Sequence, residues 1–258
     1  MIVHYAGYAC DMERITDVCK RHNLLLIEDC AHTPGADYSL SAEAAGRPLG
    51  TFGDISAFSF FGNKNIAVGE GGMVVTRNPE LFAKLKGLRS HGMSVPSFDR
   101  FKGRAASYDV ASPGLNYRIH EISSTLGLVQ LQKLEDANNK RKKLTEHYFS
   151  RLDDIPQITV PYRHFSRGKP SYHIMPILLS ESMDRPAIIE SMKQDGIQTS
   201  IHYPAIQGFT AYKGRVNAAP KAEYVCAHEL TLPLYPDMTG EEVDIVCDSL
   251  VKGIKANL

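Results

Sequence analysis

Leu24-Leu25-Leu26-Ile27-Glu28-Asp29 is an apolar run of four residues that ends on two carboxylates, and its setting decides the fold. Just before it, Met12 to His22 places Met12, Ile15, Val18, Cys19 and His22 near one face of a helix. Asn23 stops that helix, and a short apolar run bounded in this way reads as a buried strand. A carboxylate at the end of a buried strand is costly unless a cation or hydrogen-bond donors meet it. In open α/β sheets the carboxyl ends of strands are also where ligands bind. Taken alone, Asp29 is equally compatible with a helix cap or a solvated strand end.

Outward from this stretch, apolar strands keep alternating with amphipathic helices, the signature of a mainly parallel sheet. A second strand spans Ile55 to Phe61 and a third is Met73-Val74-Val75-Thr76. Asn78 then caps a helix with Pro79 at its first position, and Leu81, Phe82, Leu85 and Leu88 form its apolar face. Residues 93–113 carry little periodicity and read as a loop. From Ile119 to about Leu152 the pattern is one long helix, with Ile119, Ile122, Leu126, Val129 and Leu134 at helical spacing. It stops near Ile155-Pro156, which divides a large domain (residues 1–155) from a smaller α+β domain (residues 156–258). In the second, a strand at Tyr172 to Leu179 leads to a helix from Asp184, closed by Gly196. A strand at Gln198 to Tyr203 follows. The last helix opens on the capping box Thr239-Gly240-Glu241-Glu242. The expectation is two α/β lobes with a cleft between them.

Composition excludes several classes of function. Twenty-nine Lys and Arg balance 29 Asp and Glu, so the chain has no electrostatic footprint for nucleic acid or an anionic membrane. No apolar run approaches the ~20 residues a membrane helix needs, and the opening Met1-Ile2-Val3-His4-Tyr5 has no signal-peptide pattern. The five cysteines are odd in number and show no paired spacing, as in a reducing compartment. A cytoplasmic protein is expected. The ten histidines are scattered without metal-ligand spacing, so no metal is expected.

Lys64 follows Ser59-Phe60-Phe61-Gly62-Asn63, a run too apolar for a surface edge. Most lysines are solvated surface charges. One held partly out of water loses its proton more easily and becomes an amine nucleophile. Ser59 offers a hydroxyl to a phosphate, or is an ordinary strand serine. Gly69-Glu70-Gly71-Gly72 leads into a strand and not into a helix, so the helix-dipole argument for phosphate binding fails there. It reads as a tight turn that returns the chain behind Lys64.

Set in order, several blocks carry a resemblance. They are Glu28-Asp29-Cys30-Ala31-His32, Gly53-Asp54-Ile55-Ser56-Ala57-Phe58-Ser59-Phe60, Lys64-Asn65 and Gly69-Glu70-Gly71-Gly72-Met73-Val74-Val75-Thr76. Further on come Gly114-Leu115-Asn116-Tyr117-Arg118, Gly127-Leu128-Val129-Gln130-Leu131, Ile201-His202-Tyr203-Pro204 and Leu232-Pro233-Leu234-Tyr235-Pro236. Together they resemble the successive signatures of the nucleotide-sugar aminotransferases of the DegT/DnrJ/EryC1/StrS family, over essentially the whole chain. The resemblance implies the fold type I of pyridoxal 5'-phosphate (PLP) enzymes, usually a homodimer with sites at the subunit interface. It implies Lys64 as the Schiff-base lysine and later proton shuttle. Asp29 is implied as partner of the pyridinium nitrogen, and His32 lies where a Gln or His sits against the cofactor. Ser59 is implied to bind the phosphate, and Asn116 to reach the phosphate of the other subunit's site. Arg118, His202 and Tyr203 are implied to line the site or the interface. The implied reaction moves an amino group from an amino acid, commonly L-glutamate, to a keto sugar linked to a nucleotide, for cell-surface polysaccharide or secondary-metabolite sugars.

Family members begin well before the residue that matches Met1, so the resemblance implies a partial large domain. The unmatched part holds a Gly-Thr-type phosphate turn, an aromatic residue that stacks on the pyridine ring, sheet strands and much of the dimer contact. An exposed sheet edge and uncovered apolar faces are then expected. Beside a fragment or half of a split enzyme, two readings stay open: a truncated non-catalytic homologue that pairs with a full-length or complementing subunit, and a PLP-dependent sugar dehydratase. Dehydratase members have histidine at the lysine position, so Lys64 favours aminotransfer.

Overall fold

Asp11 accepts the Arg14 amide and starts a helix, α1 (Met12–Arg21), that ends where Asn23 takes a left-handed φ of 51°. The computed structural model describes residues 1–40, 46–94, 103, 107–215 and 217–258; the loop expected at 93–113 lies partly outside them. Along the first half, β1 (Ile2–Val3) precedes α1, and β2 (Ile27–Asp29) follows it. A small antiparallel pair, β3 (Asp37–Tyr38) and β4 (Arg47–Pro48), leads to β5 (Ile55–Ser59) and β6 (Gly72–Val75). The sheet runs β1-β2-β5-β6. Its first three strands are parallel, with Val3, Asp29 and Ala57 in register at their carboxyl ends; β6 turns back antiparallel to β5. The fold is α/β with a mainly parallel sheet, and β6 is the strand whose direction the sequence pattern did not assign.

The expected strand at Leu24 to Ile27 needs correcting. Pairing begins only at Ile27, and of the four residues only Leu26 is buried, at 5% exposure; Leu25 is 81% exposed. Asp54 exchanges hydrogen bonds with the Leu26 amide and carbonyl, which fixes the entry to the strand. Under it Met12, Leu26, Ala36, Tyr38 and Leu49 form a small core. The helix capped by Asn78, α2 (Pro79–Arg89), forms as expected, with the Asn78 side chain accepting the Glu80 and Leu81 amides. Its apolar face is only partly covered, with Leu81 and Leu85 half-buried and Phe82 and Leu88 exposed; α2 has no buried residue. The exposed parts of these apolar faces have no covering layer among the described residues.

The long helix α3 (Glu121–Arg151) shows the same contrast within one element. Its first half, with Ile122 86% exposed, rests only lightly on the turn at 67–71, while Leu144 and Tyr148 are buried. The buried end packs into a second core with an antiparallel sheet, β7 (Ile158–Thr159), β8 (Met175–Leu179) and β9 (Glu229–Leu232), in the order β7-β8-β9. Helices α4 (Arg185–Gln194) and α6 (Gly240–Lys255) complete it; Asp184 caps the first by accepting the Ala187 amide, and the expected Thr239–Glu242 box starts the second. Between them lies α5 (Pro220–His228), none of it buried. The strand expected at Gln198 to Tyr203 reduces to one bridge, Ser200 with Thr231. Among the described residues, no helix is long and apolar enough to cross a membrane.

One further contact positions the site. Tyr8 stacks on Tyr162 with centroids 4.2 Å apart and meets Phe165 and Tyr172 edge-on. This locks the turn at 5–8 against the loop at 162–173. The Ser171 amide reaches Gly7 and the His173 amide reaches Ala6. Gly7 has φ +90°, and a Cβ there would lie 2.1 Å from Ser171 Oγ, so only glycine fits.

Candidate active site

Glu28 and Asp29 alternate at the carboxyl edge of the sheet and so face opposite sides. Glu28 points inward, fully buried. One oxygen accepts His4 Nε2 (3.1 Å) and the Gly50 amide (3.0 Å), the other the Phe52 and Gly53 amides (2.8 and 2.5 Å). Burial pushes its pKa up, but the hydrogen bonds from His4, Gly53 and Gly50 outweigh that and hold it below the usual range. His4 Nδ1 accepts the Cys10 amide at 3.1 Å, so Nε2 carries the proton given to Glu28. His4, Glu28 and Cys30 are close enough to share a metal ion. Both Glu28 oxygens and both His4 nitrogens are already hydrogen-bonded, and the group serves as a clamp on the turn at 50–53.

Asp29 faces the other way. It is half-buried, with one oxygen accepting the Ala31 amide at 3.0 Å. Lys64 sits in the turn after β5, its amide bonded to the Phe61 carbonyl at 2.9 Å. Its side chain is half-buried, and among the described residues Nζ has no ion-pair or hydrogen-bond partner. Desolvation lowers its pKa, against the opposing pull of the Asp29 charge.

The residue after Lys64 is held more tightly than the lysine itself. Asn65 Nδ2 donates to Asn138 Oδ1 (2.8 Å) and to the Ser171 carbonyl (2.9 Å), while Oδ1 accepts His173 Nδ1 (2.7 Å). Asn138 in turn donates to the Pro34 carbonyl. The Lys64 turn is thereby tied to α3 and to the 171–173 loop.

The imidazoles beside it are neutral. His32 is 5% exposed, its pKa lowered to about 3 by burial first, then by the Lys64 charge. His173, 4.3 Å away between ring centroids, is lowered to about 2, again by burial first. His32 Nε2 meets the Tyr203 hydroxyl at 3.0 Å. His202 feels Lys64 as well, which together with burial lowers its pKa. Asp29 and Glu229 add to burial in raising the Tyr203 pKa.

Of the residues singled out in the sequence, Asp29, His32, Lys64, His202 and Tyr203 come together. Ser59 ends β5 and accepts the Phe61 amide at 3.3 Å, which leaves its hydroxyl proton to donate elsewhere. Asn116 and Arg118 stay apart from the cluster. They are exposed and bond to each other at 3.3 Å, on a segment that runs beside the end of α2. Sequence reasoning passed over His173, Asn138 and Glu229. Glu229-Leu230-Thr231-Leu232 lies in the stretch after Tyr203 that reads as irregular, yet it forms β9 with all four residues buried. The one signal was a histidine opening the apolar run into β8.

The donors present match what a pyridoxal phosphate asks for: an unpaired amine of lowered pKa, a carboxylate beside it, and buried neutral imidazoles. The comparisons agree. A model of the DegT/DnrJ/EryC1/StrS aminotransferase family matches residues 1–251. The spore coat polysaccharide biosynthesis protein SpsC of Bacillus subtilis is 32% identical over 263 residues, 97% of this chain and 66% of that protein. Among solved structures, Helicobacter pylori PseC, an aminotransferase involved in the biosynthesis of pseudoaminic acid, superposes with a TM-score of 0.88 at 32% identity, covering 98% of this chain and 66% of PseC. Spr1654 of Streptococcus pneumoniae, assigned as a sugar aminotransferase, was solved in a PMP form and a PLP form. The TM-scores are 0.89 and 0.87 at 25% identity, covering 99% of this chain and 69% and 68% of those chains. The chain thus spans about two thirds of the length of the curated relatives it matches.

Proposed function

Because this chain belongs to the DegT/DnrJ/EryC1/StrS aminotransferase family, we propose that it serves as a PLP-dependent sugar aminotransferase. The amino donor is L-glutamate or a similar amino acid, and the acceptor is a keto sugar linked to a nucleotide. The reaction is placed in the cytoplasm. Residues 1–155 form the cofactor-binding domain and 156–258 the smaller one, with the end of α3 packed into the core of the second.

The observation that carries this reading is the Lys64 amine, half-buried, unpaired and of lowered pKa, with the Asp29 charge beside it. When bound, PLP supplies an aldehyde that takes up an amino group and a ring that withdraws electrons from the neighbouring carbon. Lys64 Nζ would hold the cofactor covalently and, when free, carry a proton to and from the reacting carbon; its lowered pKa suits both tasks. Asp29, with one oxygen fixed by the Ala31 amide, would hold the ring nitrogen's proton. His32, neutral and ordered, would lie against the cofactor without adding a second positive charge to compete with it. Ser59 would donate its hydroxyl proton to the phosphate.

In the purified chain, added PLP should give the absorbance band of the covalently attached cofactor, and Lys64→Ala should abolish it. An unchanged band in Lys64→Ala would sink the assignment, and no band in the parent chain would sink the claim that this stretch alone binds the cofactor.

The uncovered apolar faces of the sheet, α2 and the first half of α3 favour a homodimer or a complementing subunit as the working form. Asn116 and Arg118, which stand away from their own Lys64, would then contribute to the partner's site. Light scattering checks this: a mass that stays at one chain at micromolar concentration would count against it.

A further inference from the structure

The protons around Lys64 are assigned by residues that do not touch it. His202 is brought beside β9 because Ser200 bridges to Thr231, so in the antiparallel register residue 202 falls next to residue 229. Its amide donates to Glu229 Oε2 at 2.8 Å and its Nδ1 lies 2.8 Å from Thr231 Oγ1. The Thr231 hydroxyl in turn donates to Glu229 Oε1. Tyr5 clamps the same residue from outside, its hydroxyl donating to the His202 carbonyl at 2.7 Å. A hydroxyl has one proton. Thr231 gives it to the carboxylate, which accepts only, and so must receive a proton from His202 Nδ1. His202 is then the Nδ1–H tautomer, with Nε2 a bare acceptor.

His32 is fixed in the opposite sense. The Ala6 amide donates to His32 Nδ1 at 3.2 Å, so the ring proton sits on Nε2 and is given to the Tyr203 oxygen. The Tyr203 proton is left to point elsewhere. Consecutive residues therefore offer one acceptor and one donor beside Lys64.

We infer that Glu229 and Thr231 are positioning residues that set the tautomer of His202, and that His202 Nε2 with the Tyr203 hydroxyl forms a donor–acceptor pair that reads a substrate hydroxyl. A sugar hydroxyl donates and accepts and fits both partners. A carboxylate, which only accepts, leaves the His202 lone pair facing another lone pair. Burial and the Lys64 charge both favour the neutral imidazole this requires. Burial also raises the Glu229 pKa, against the Thr231 hydroxyl, the His202 amide and the nearby Arg185 charge. A protonated Glu229 would reverse the chain of donors. The substrate assignment rests on the sugar aminotransferase reading, whereas the tautomers do not.

The test is long-range proton–nitrogen NMR of the 15N-histidine chain without cofactor, with His202 assigned by the loss of its signals in His202→Gln. The expected result is Nδ1–H for His202 and Nε2–H for His32. Thr231→Val should take His202 to a mixture or to Nε2–H, and Thr231→Ser should restore Nδ1–H. If Thr231→Val does not fold, Glu229→Gln serves: its amide can donate to Thr231, which frees the hydroxyl to donate to the ring and drives His202 to Nε2–H. Nε2–H in the parent chain, or Nδ1–H retained in both relay variants, overturns the relay. Methyl α-D-glucopyranoside, an uncharged hydroxyl probe, should move the His202 Nε2 resonance while acetate does not. Movement by acetate alone, or by neither, overturns the hydroxyl assignment. A chain that shows the tautomers but no PLP band does not bind the cofactor by itself, while the relay stands.

Discussion

The first half of α3 carries more apolar residues than the second, yet it is the second half that is buried. From Leu144 onward the helix packs into a core with Ile177, Leu179, Ile188, Leu230 and Leu250, every one of them at most 2% exposed. Before Leu134 it presents Ile122, Leu128 and Leu131 to solvent, beside a sheet whose Met73 and Val74 are exposed as well. The second core is closed by its own chain: β8 and β9 on one side, α4 and α6 on the other. The first region keeps its order through side-chain hydrogen bonds to backbone, as at Glu28, Asp54 and Asn65. Apolar burial stabilises one end of the molecule, and polar anchoring holds the other around Lys64. The lysine thus sits where structure is held by a few directional bonds, and the apolar surface nearby remains available to a partner.

That contrast can be broken most directly by deleting apolar side chains on each side. Ile177→Ala should cost about 2–5 kcal/mol, the range for emptying a buried aliphatic site, whereas Ile122→Ser should stay within about 0.5 kcal/mol in the monomer. Urea unfolding of both decides it, and equal losses would mean the first half of α3 is covered in solution. Next in size is Asn65→Ala, which strips partners from His173, Asn138 and the Ser171 carbonyl. Each buried group left unpaired costs about 1–3 kcal/mol. A change below about 0.5 kcal/mol would show that the carboxamide anchors nothing.

For each histidine and pH unit the effect of acid is smaller, and it sharpens the difference further. His32 and His173 are held neutral with folded pKa values of about 3 and about 2, while an unfolded histidine titrates near 6.5. Below pH 6.5 the unfolded chain takes up protons the folded one refuses, so stability falls as pH falls, by up to about 1.4 kcal/mol per pH unit for each histidine. Melting temperatures between pH 7 and 5 should therefore drop, and His32→Gln should flatten that slope by roughly half. A slope unchanged by His32→Gln would show that its ring protonates in the folded state.

Features settled within a few residues were readable from the sequence. Asn78-Pro79 and the Thr239–Glu242 box start helices where their side chains can reach the first amides, and that chemistry needs no distant partner. The motifs around Asp29, His32, Lys64, His202 and Tyr203 named residues that the fold does gather. Burial was less readable. Leu24 and Leu25 have the look of a core strand and stand in solvent, whereas Glu229 and Thr231, polar residues in a stretch that reads as irregular, are enclosed. The difference lies in whether another layer arrives, and an apolar period on one strand carries no information about that.

By itself, then, the amino-acid sequence determined the principal helices, the caps at Asn78 and Thr239 and the order of the motif blocks that mark this family, all of which rest on local propensity and spacing. Only the tertiary structure decided the antiparallel course of β6, the neutrality of His32 and His173, and the side of each imidazole that keeps its proton. Those depend on groups far apart in the chain: an amide at Ala6, a carboxylate at Glu229, a carboxamide at Asn65. Desolvation and hydrogen-bond donors set a proton's place, and both are known only once distant segments have packed.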